Sequence, residues 1–342
     1  MIYSIDQVRH LHLEISSLCN AACPLCPRNF SGYPHNAGYD EHNMTVQEAQ
    51  KIFPAEFIQQ LTHILINGNF GDAVMNPDTV PIINYFKSHN PKLHIRINTN
   101  GAARDAQFWR DLAQAGVEVH FAIDGTDDYT HALYRRNTLY STVMKNSATF
   151  IAAGGIAGWK MINFEHNQHQ QQPARELSIQ RGFAAFMITD DGRDNGPVYN
   201  NSGDLVYIIG ESKLNSTPSK HIEPAIDYNY SPQYKSNQIA WVNKSQIKNI
   251  KCNVAKSLSI YVSSTGDVFP CCYTGLNPAR YRNNTHIGYS MEQINHVMSR
   301  NNALEYDLTT CIEWFDHVES SWQIDSFENG RLLICNNICG SV

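Results

Sequence analysis

Cys19-Asn-Ala-Ala-Cys23-Pro-Leu-Cys26 follows directly on Leu11-His-Leu-Glu-Ile-Ser16. The earlier stretch reads as a strand, and the later one sets three cysteines in a Cys-x3-Cys-x2-Cys run on the loop after it. Three thiolates on so short a loop suit three irons of a 4Fe-4S cube, because thiolates are the soft ligands such clusters take. The fourth iron is then open to another ligand. A structural zinc site wants four ligands, and no fourth Cys or suitable His lies close by. Cysteines packed merely as small hydrophobes would not be expected to cluster on a loop flanked by Pro24, Pro27 and Arg28.

The chain has 342 residues, 42% of them hydrophobic, enough for one large or two medium domains with a sizeable core. No apolar run approaches a membrane span, and Met1-Ile-Tyr-Ser-Ile-Asp6 lacks the basic and apolar regions of a signal peptide, so a cytoplasmic chain is expected. In that setting nine cysteines read as metal ligands and not as disulfides. A formal charge of -6 argues against a nucleic-acid backbone as main partner.

Strand and helix patterns alternate through the first half. Thr45 and Glu48 form a capping-box signature that opens a helix toward Phe57. Strands are expected at Leu11–Ser16, Thr62–Asn67, Leu93–Ile97, Val117–Ile123, Trp159–Phe164 and Phe183–Ile188, with helices between them. Such alternation implies a parallel sheet with crossovers. The fold class expected is α/β. In parallel barrels the chemistry gathers at the C-terminal ends of the strands, which is where the Cys19 loop falls. The polar run Glu165-His-Asn-Gln-His169 after the fifth strand stands at such an end too. From Thr189 to about Lys251 turn formers replace periodicity, and this stretch reads as a bridge over the open side of the sheet.

The Cys19-x3-Cys23-x2-Cys26 motif after a first strand resembles that of the radical S-adenosylmethionine (SAM) enzymes. The resemblance implies a partial (β/α)6 TIM-type barrel. It also implies that the open iron of a 4Fe-4S cluster chelates the amino and carboxylate groups of SAM. Cleavage of the sulfonium by an electron from the cluster would give a 5'-deoxyadenosyl radical that abstracts hydrogen from the substrate. Leu25 departs from the pattern, where an aromatic residue is usual. Asn67-Gly-Asn-Phe-Gly71-Asp72 is similar to the family's Gly-Gly-Glu-Pro segment, and Thr99-Asn100-Gly101 to its Thr-Asn-Gly strand end. Asp124-Gly125 with Tyr134-Arg135 is similar to a pair in relatives with extra clusters, where the Arg meets the SAM carboxylate. Gly71, Asp72, Asn100 and Arg135 are therefore the expected SAM contacts, with Arg136 the alternative to Arg135.

Cys252, thirteen residues, Gly266, four residues and Cys271 match the Cys-x(9-15)-Gly-x4-Cys signature of the SPASM and twitch extensions. Ser259–Val262 and Asp267–Phe269 read as a β-hairpin around Ser264-Thr-Gly266. Of nine cysteines, three belong to the first motif and six remain, fewer than a two-cluster SPASM domain needs. The resemblance thus implies a small C-terminal twitch domain, a β-hairpin plus helix, with one auxiliary 4Fe-4S cluster on Cys252, Cys271, Cys335 and Cys339. Cys311 is the substitute ligand, and a zinc ribbon is the alternative. Cys272 stands where sulfatase-maturing relatives carry a catalytic Asp.

The expected domains are residues 1–190 for the barrel, 191–250 for the bridge and 251–342 for the auxiliary Fe-S domain. The expected activity is hydrogen abstraction from a small molecule or peptide, as an oxidation, supplied by an electron donor such as flavodoxin or ferredoxin. Peptide cross-linking or epimerisation is the alternative chemistry. A non-catalytic Fe-S or zinc redox module is the alternative class.

Overall fold

The computed structural model describes residues 3–26, 28–29, 41–189, 196–200, 202, 204–210, 246–276 and 292–341. Strands β1 (His10–Leu13), β2 (His63–Ile66), β3 (His94–Thr99), β4 (Glu118–Ala122), β5 (Ile156–Ile162) and β6 (Ala185–Thr189) pair in that order, all parallel. The expected α/β fold with six parallel strands is what forms. Helices α1 (Val46–Ile52), α2 (Ala55–Gln60), α3 (Thr79–His89), α4 (Ala106–Gln114), α5 (Asp128–Tyr134), α6 (Tyr140–Ala152) and α7 (Gln171–Gln180) lie in the crossovers.

Strand alternation builds the core. Leu11, Leu13, Ile64, Ile66, Ile95, Ile97, Val119 and Phe121 are buried in one cluster with Ile82, Phe86, Trp109 and Phe150 of the helices. Full burial of each such side chain contributes about 1.5–3 kcal/mol. The alternate positions, among them His12, Arg96, Asn98 and His120, turn to the opposite, concave face. A single helix expected from Thr45 toward Phe57 is instead two, because Pro54 has no N–H to continue the first and becomes the N-cap of the second. The capping box itself forms, with Glu48 N donating to Thr45 Oγ1 at 3.1 Å and Thr45 N to Glu48 Oε2 at 2.7 Å.

Beyond the barrel, β7 (Gly196–Tyr199) and β8 (Leu205–Ile209) pair antiparallel. This hairpin lies within the stretch read as an aperiodic bridge. Residues 190–195 and 211–245 of that stretch lie outside the described residues. Next come β9 (Asn249–Ile250), α8 (Asn253–Ser257), β10 (Ser259–Val262) and β11 (Val268–Phe269). The hairpin expected at Ser264-Thr-Gly266 forms, with Gly266 at φ +87° where a side chain would be strained. It is not a separate sheet: β10 pairs parallel with β1 (Leu11 with Ile260, Leu13 with Val262), so the barrel sheet runs β11-β10-β1-β2-β3-β4-β5-β6.

Helices α9 (Leu308–Ile312), α10 (Phe315–Ser321) and α11 (Leu333–Cys339) follow, and β12 (Gly340–Ser341) returns antiparallel to β9. The buried Arg331 secures this end by donating to the carbonyls of Trp322, Ile324 and Lys248 and to Asn336 Oδ1. Those acceptors offset the desolvation of a buried cation. Among the described residues no helix is long and apolar enough to cross a membrane.

Candidate active site

The loop carrying Cys19, Cys23 and Cys26 is fixed at the end of β1 by backbone contacts from three directions. Ser16 bridges Asn43, Asp72 N donates to Leu18 O at 2.8 Å, and Ala22 N to Arg136 O at 2.9 Å. None of the three thiols is in a disulfide. Cys19 Sγ accepts from Ala21 N at 3.4 Å and lies 3.7 Å from Asn100 Nδ2, while Arg135 Nη1 lies 3.8 Å from Cys23 Sγ. Burial pushes the Cys19 thiol well above its usual range, with the negative charge of Asp72 adding to the effect. Amide and guanidinium donors aimed at sulfur are the support that thiolates bound to a metal cluster need. The donor set and its setting therefore suit a thiolate-ligated cluster.

The four expected SAM contacts surround this loop. Gly71 is where the glycine-rich loop after β2 meets the backbone of the cysteine loop: a Cβ there would sit 1.8 Å from Ser16 O. Overpacking against backbone costs about 1–3 kcal/mol where the structure can shift at all. Gly71→Ala is therefore expected to lose at least tenfold in SAM affinity by equilibrium dialysis; wild-type affinity would show the loop to be slack.

Asp72 is buried, and its side chain is taken up by the chain itself. Oδ1 accepts from Thr99 Oγ1 at 2.7 Å and Oδ2 from Asn100 N at 2.7 Å, so Asp72 ties the second strand end to the third. Asn100 then spans from that tie to Cys19 and to Asn20 Oδ1 at 2.9 Å. Arg135 Nε is held by the fully buried Asp124 at 2.6 Å, which leaves Nη1 toward Cys23. Arg136 turns away, its Nη1 donating to Tyr199 O at 2.9 Å in β7.

A small apolar cluster covers the loop: Ala21, Cys23, Tyr134, Ile162, Phe164, Val198 and Ile209, with Cys19, Leu25, Cys26 and Tyr207 packed against it. Leu25 thus meets an aliphatic and aromatic layer partly supplied by the β7–β8 hairpin. Closure by apolar groups strengthens the electrostatic contacts beneath it. Glu165 bonds this hairpin through its N–H to Gly210 O at 3.0 Å, and His166 stacks on Phe164 at 5.3 Å.

The second group of cysteines lines a cavity of about 150 Å³. Cys252, Cys271, Cys335 and Cys339 are all in its wall, together with Cys272, His12, Tyr261 and mainly apolar side chains. The β9–β12 ladder explains half of this convergence, since Lys251 N donates to Cys339 O at 3.0 Å beside Cys252. The neighbouring Cys252 thiol pushes the pKa of Cys339 down. Cys311 is elsewhere, buried in the core with its Sγ 3.8 Å from Tyr306 O. Among the described residues no three His, Cys, Asp or Glu side chains are gathered closely enough to hold a single metal ion.

Glu14, not singled out by its sequence context, joins the two regions. Its Oε1 accepts from Phe70 N at 2.9 Å and Gly71 N at 3.0 Å, and its Oε2 from the phenol of Tyr261 on β10. Burial raises its pKa despite these donors. Asn69 Nδ2 adds a second link, donating to Cys272 O at 2.8 Å. The loop after β2 is thereby tied to the hairpin that carries Cys271.

Residues 13–164 match the family model described as Radical SAM superfamily. No curated protein matches the sequence. Similar solved structures include native anSMEcpe with bound AdoMet and Cp18Cys peptide, at TM-score 0.54 and 14% identity over 96% of this chain and 88% of that one. Streptococcus suis SuiB bound to precursor peptide SuiA follows at TM-score 0.53 and 12% identity, over 95% of this chain and 66% of that one. At such identities the likeness establishes the fold. The match over residues 13–164 adds a family signal for that segment, which is similar to the Radical SAM superfamily.

Proposed function

We propose that Cys19, Cys23 and Cys26 hold the SAM-binding 4Fe-4S cluster and that Cys252, Cys271, Cys335 and Cys339 hold one auxiliary 4Fe-4S cluster, in an enzyme that oxidises its substrate. When bound, the first cluster supplies the electron for cleavage of SAM to the 5'-deoxyadenosyl radical, and the auxiliary cluster supplies an electron acceptor. The observation that carries the two-cluster reading is the single cavity walled by the four C-terminal thiols.

The chain's own residues place and shield the reaction. Asp72 fixes Asn100 beside Cys19; Asp124 holds Arg135 so that its remaining N–H groups serve the SAM carboxylate, a role for which Arg136 is already engaged with Tyr199 O. Gly71 lets the backbone approach close enough for the SAM amino group. Residues 1–190 form the barrel unit, 191–250 bridge it, and 251–342 form a twitch-type auxiliary unit whose hairpin extends the barrel sheet. Peptides are one substrate class, since the fold neighbours SuiB and anSMEcpe are described with bound peptides. An electron donor of the flavodoxin or ferredoxin kind and a cytoplasmic setting complete the reading.

Metal analysis after anaerobic reconstitution tests it. About eight irons per chain are expected. About four irons with stoichiometric zinc would contradict the auxiliary cluster and leave the first one standing.

A further inference from the structure

Barrels of this type usually fill their concave face with bulky branched side chains. Here β3 places Arg96 and Asn98 on it, since Ile95, Ile97 and Thr99 are the buried alternates. In register on β4 stand Glu118, beside Arg96, and His120, beside Asn98. Glu118 is the partner that Arg96 would be expected to take, but it is occupied: His94 Nε2 lies 2.9 Å from its Oε2, and its Oε1 holds His120 Nε2. The side chains of Arg96 and Asn98 make no hydrogen bond or ion pair to a described residue, and Arg96 Nε and Asn98 Oδ1 are buried without partners, although the Arg96 charge still acts on Glu118. Buried polar groups in folded proteins nearly always have a partner, so an orphan donor beside an orphan acceptor points to a ligand.

We propose that Arg96 and Asn98 are the substrate's recognition subsite, taking a carboxylate with an adjacent N–H or O–H donor. The guanidinium offers two parallel N–H groups to a carboxylate, and Asn98 Oδ1 accepts from the neighbouring donor. One cation beside the negative Glu118 suits a singly charged carboxylate better than a phosphate dianion. The subsite also sets a length. β3 rises about 3.3 Å per residue, so Arg96 lies about 13 Å along the strand from Asn100 at the cysteine loop. The recognised carboxylate is therefore remote from the carbon that loses hydrogen, as in an elongated small molecule or the C-terminus of a short peptide. This inference rests on the proposed reading, in which the substrate lies on the concave face.

Equilibrium dialysis of the reconstituted protein with N-acetylglycine, acetate and inorganic phosphate as probes tests it. Saturable binding of N-acetylglycine is expected, weakened at least tenfold in Arg96→Gln and partly restored in Arg96→Lys. Asn98→Leu should remove the preference for N-acetylglycine over acetate, a readout that misfolding of the Arg96 variants does not touch. Equal binding by wild type and Arg96→Gln, or phosphate bound more tightly than both carboxylates, would overturn the assignment. Formation of 5'-deoxyadenosine from SAM by the same wild-type preparation tests the parent reading separately: its absence with probe binding intact would count against the enzyme reading and not against the subsite.

Discussion

With Cys19, Cys23 and Cys26 all replaced by Ala, cleavage of SAM is expected to fall to background while about four irons per chain stay bound. The reason is local. Asn100, Arg135 and the backbone of Gly71 converge on this loop, and the second group of thiols is held by different elements, the β9–β12 ladder, the β10–β11 hairpin and α11. Removing three small side chains from a loop leaves those elements in place. The expected rate change is complete loss, read as 5'-deoxyadenosine under dithionite. Cleavage at the wild-type rate by the triple variant would place SAM elsewhere and remove the basis of the assignment.

Changing Cys271 to Ala should have the second largest effect, and a different one. Cys271 follows β11 and faces the cavity shared with Cys252, Cys335 and Cys339. An electron acceptor held there matters only after a substrate radical has formed. The variant is therefore expected to keep some cleavage of SAM and lose product, once a substrate is in hand. Should the C-terminal site instead bind substrate, the first loss would be affinity, a raised KM with a smaller change in kcat. Unchanged turnover in a variant verified to lack auxiliary iron would leave the site as a structural staple.

The barrel was legible because its signals are local. The run Thr62-His-Ile-Leu-Ile-Asn67 is a strand by composition, the Thr45–Glu48 capping box marks a helix start within four residues, and the Cys19 loop carries its chemistry in eight residues. What escaped depends on distant pairing. Glu14 sits in an ordinary alternating strand, and its function appears only when Phe70, 56 positions on, and Tyr261, 247 positions on, are brought to it. The β7–β8 hairpin was hidden because Gly196-Pro-Val-Tyr199 has turn formers and a strand shares its four residues. Even a correctly read hairpin at Ser264-Thr-Gly266 gave no hint that β10 would join β1, because parallel partners so far apart in sequence are chosen by the whole sheet. Arg96 and Asn98 lie in a strand that was expected, yet their lack of partners is visible only once Glu118 is seen to be held by two histidines.

The two proposed clusters are of unlike kind, one with an iron open to SAM and one ringed by four cysteines. Mössbauer spectroscopy of the protein reconstituted with Mössbauer-active iron, recorded with and without SAM, tests this most directly. The predicted result is about eight irons, all in cubes, with about one in eight changing its isomer shift when SAM is added. Spectra identical with and without SAM, at full cluster occupancy, would contradict it.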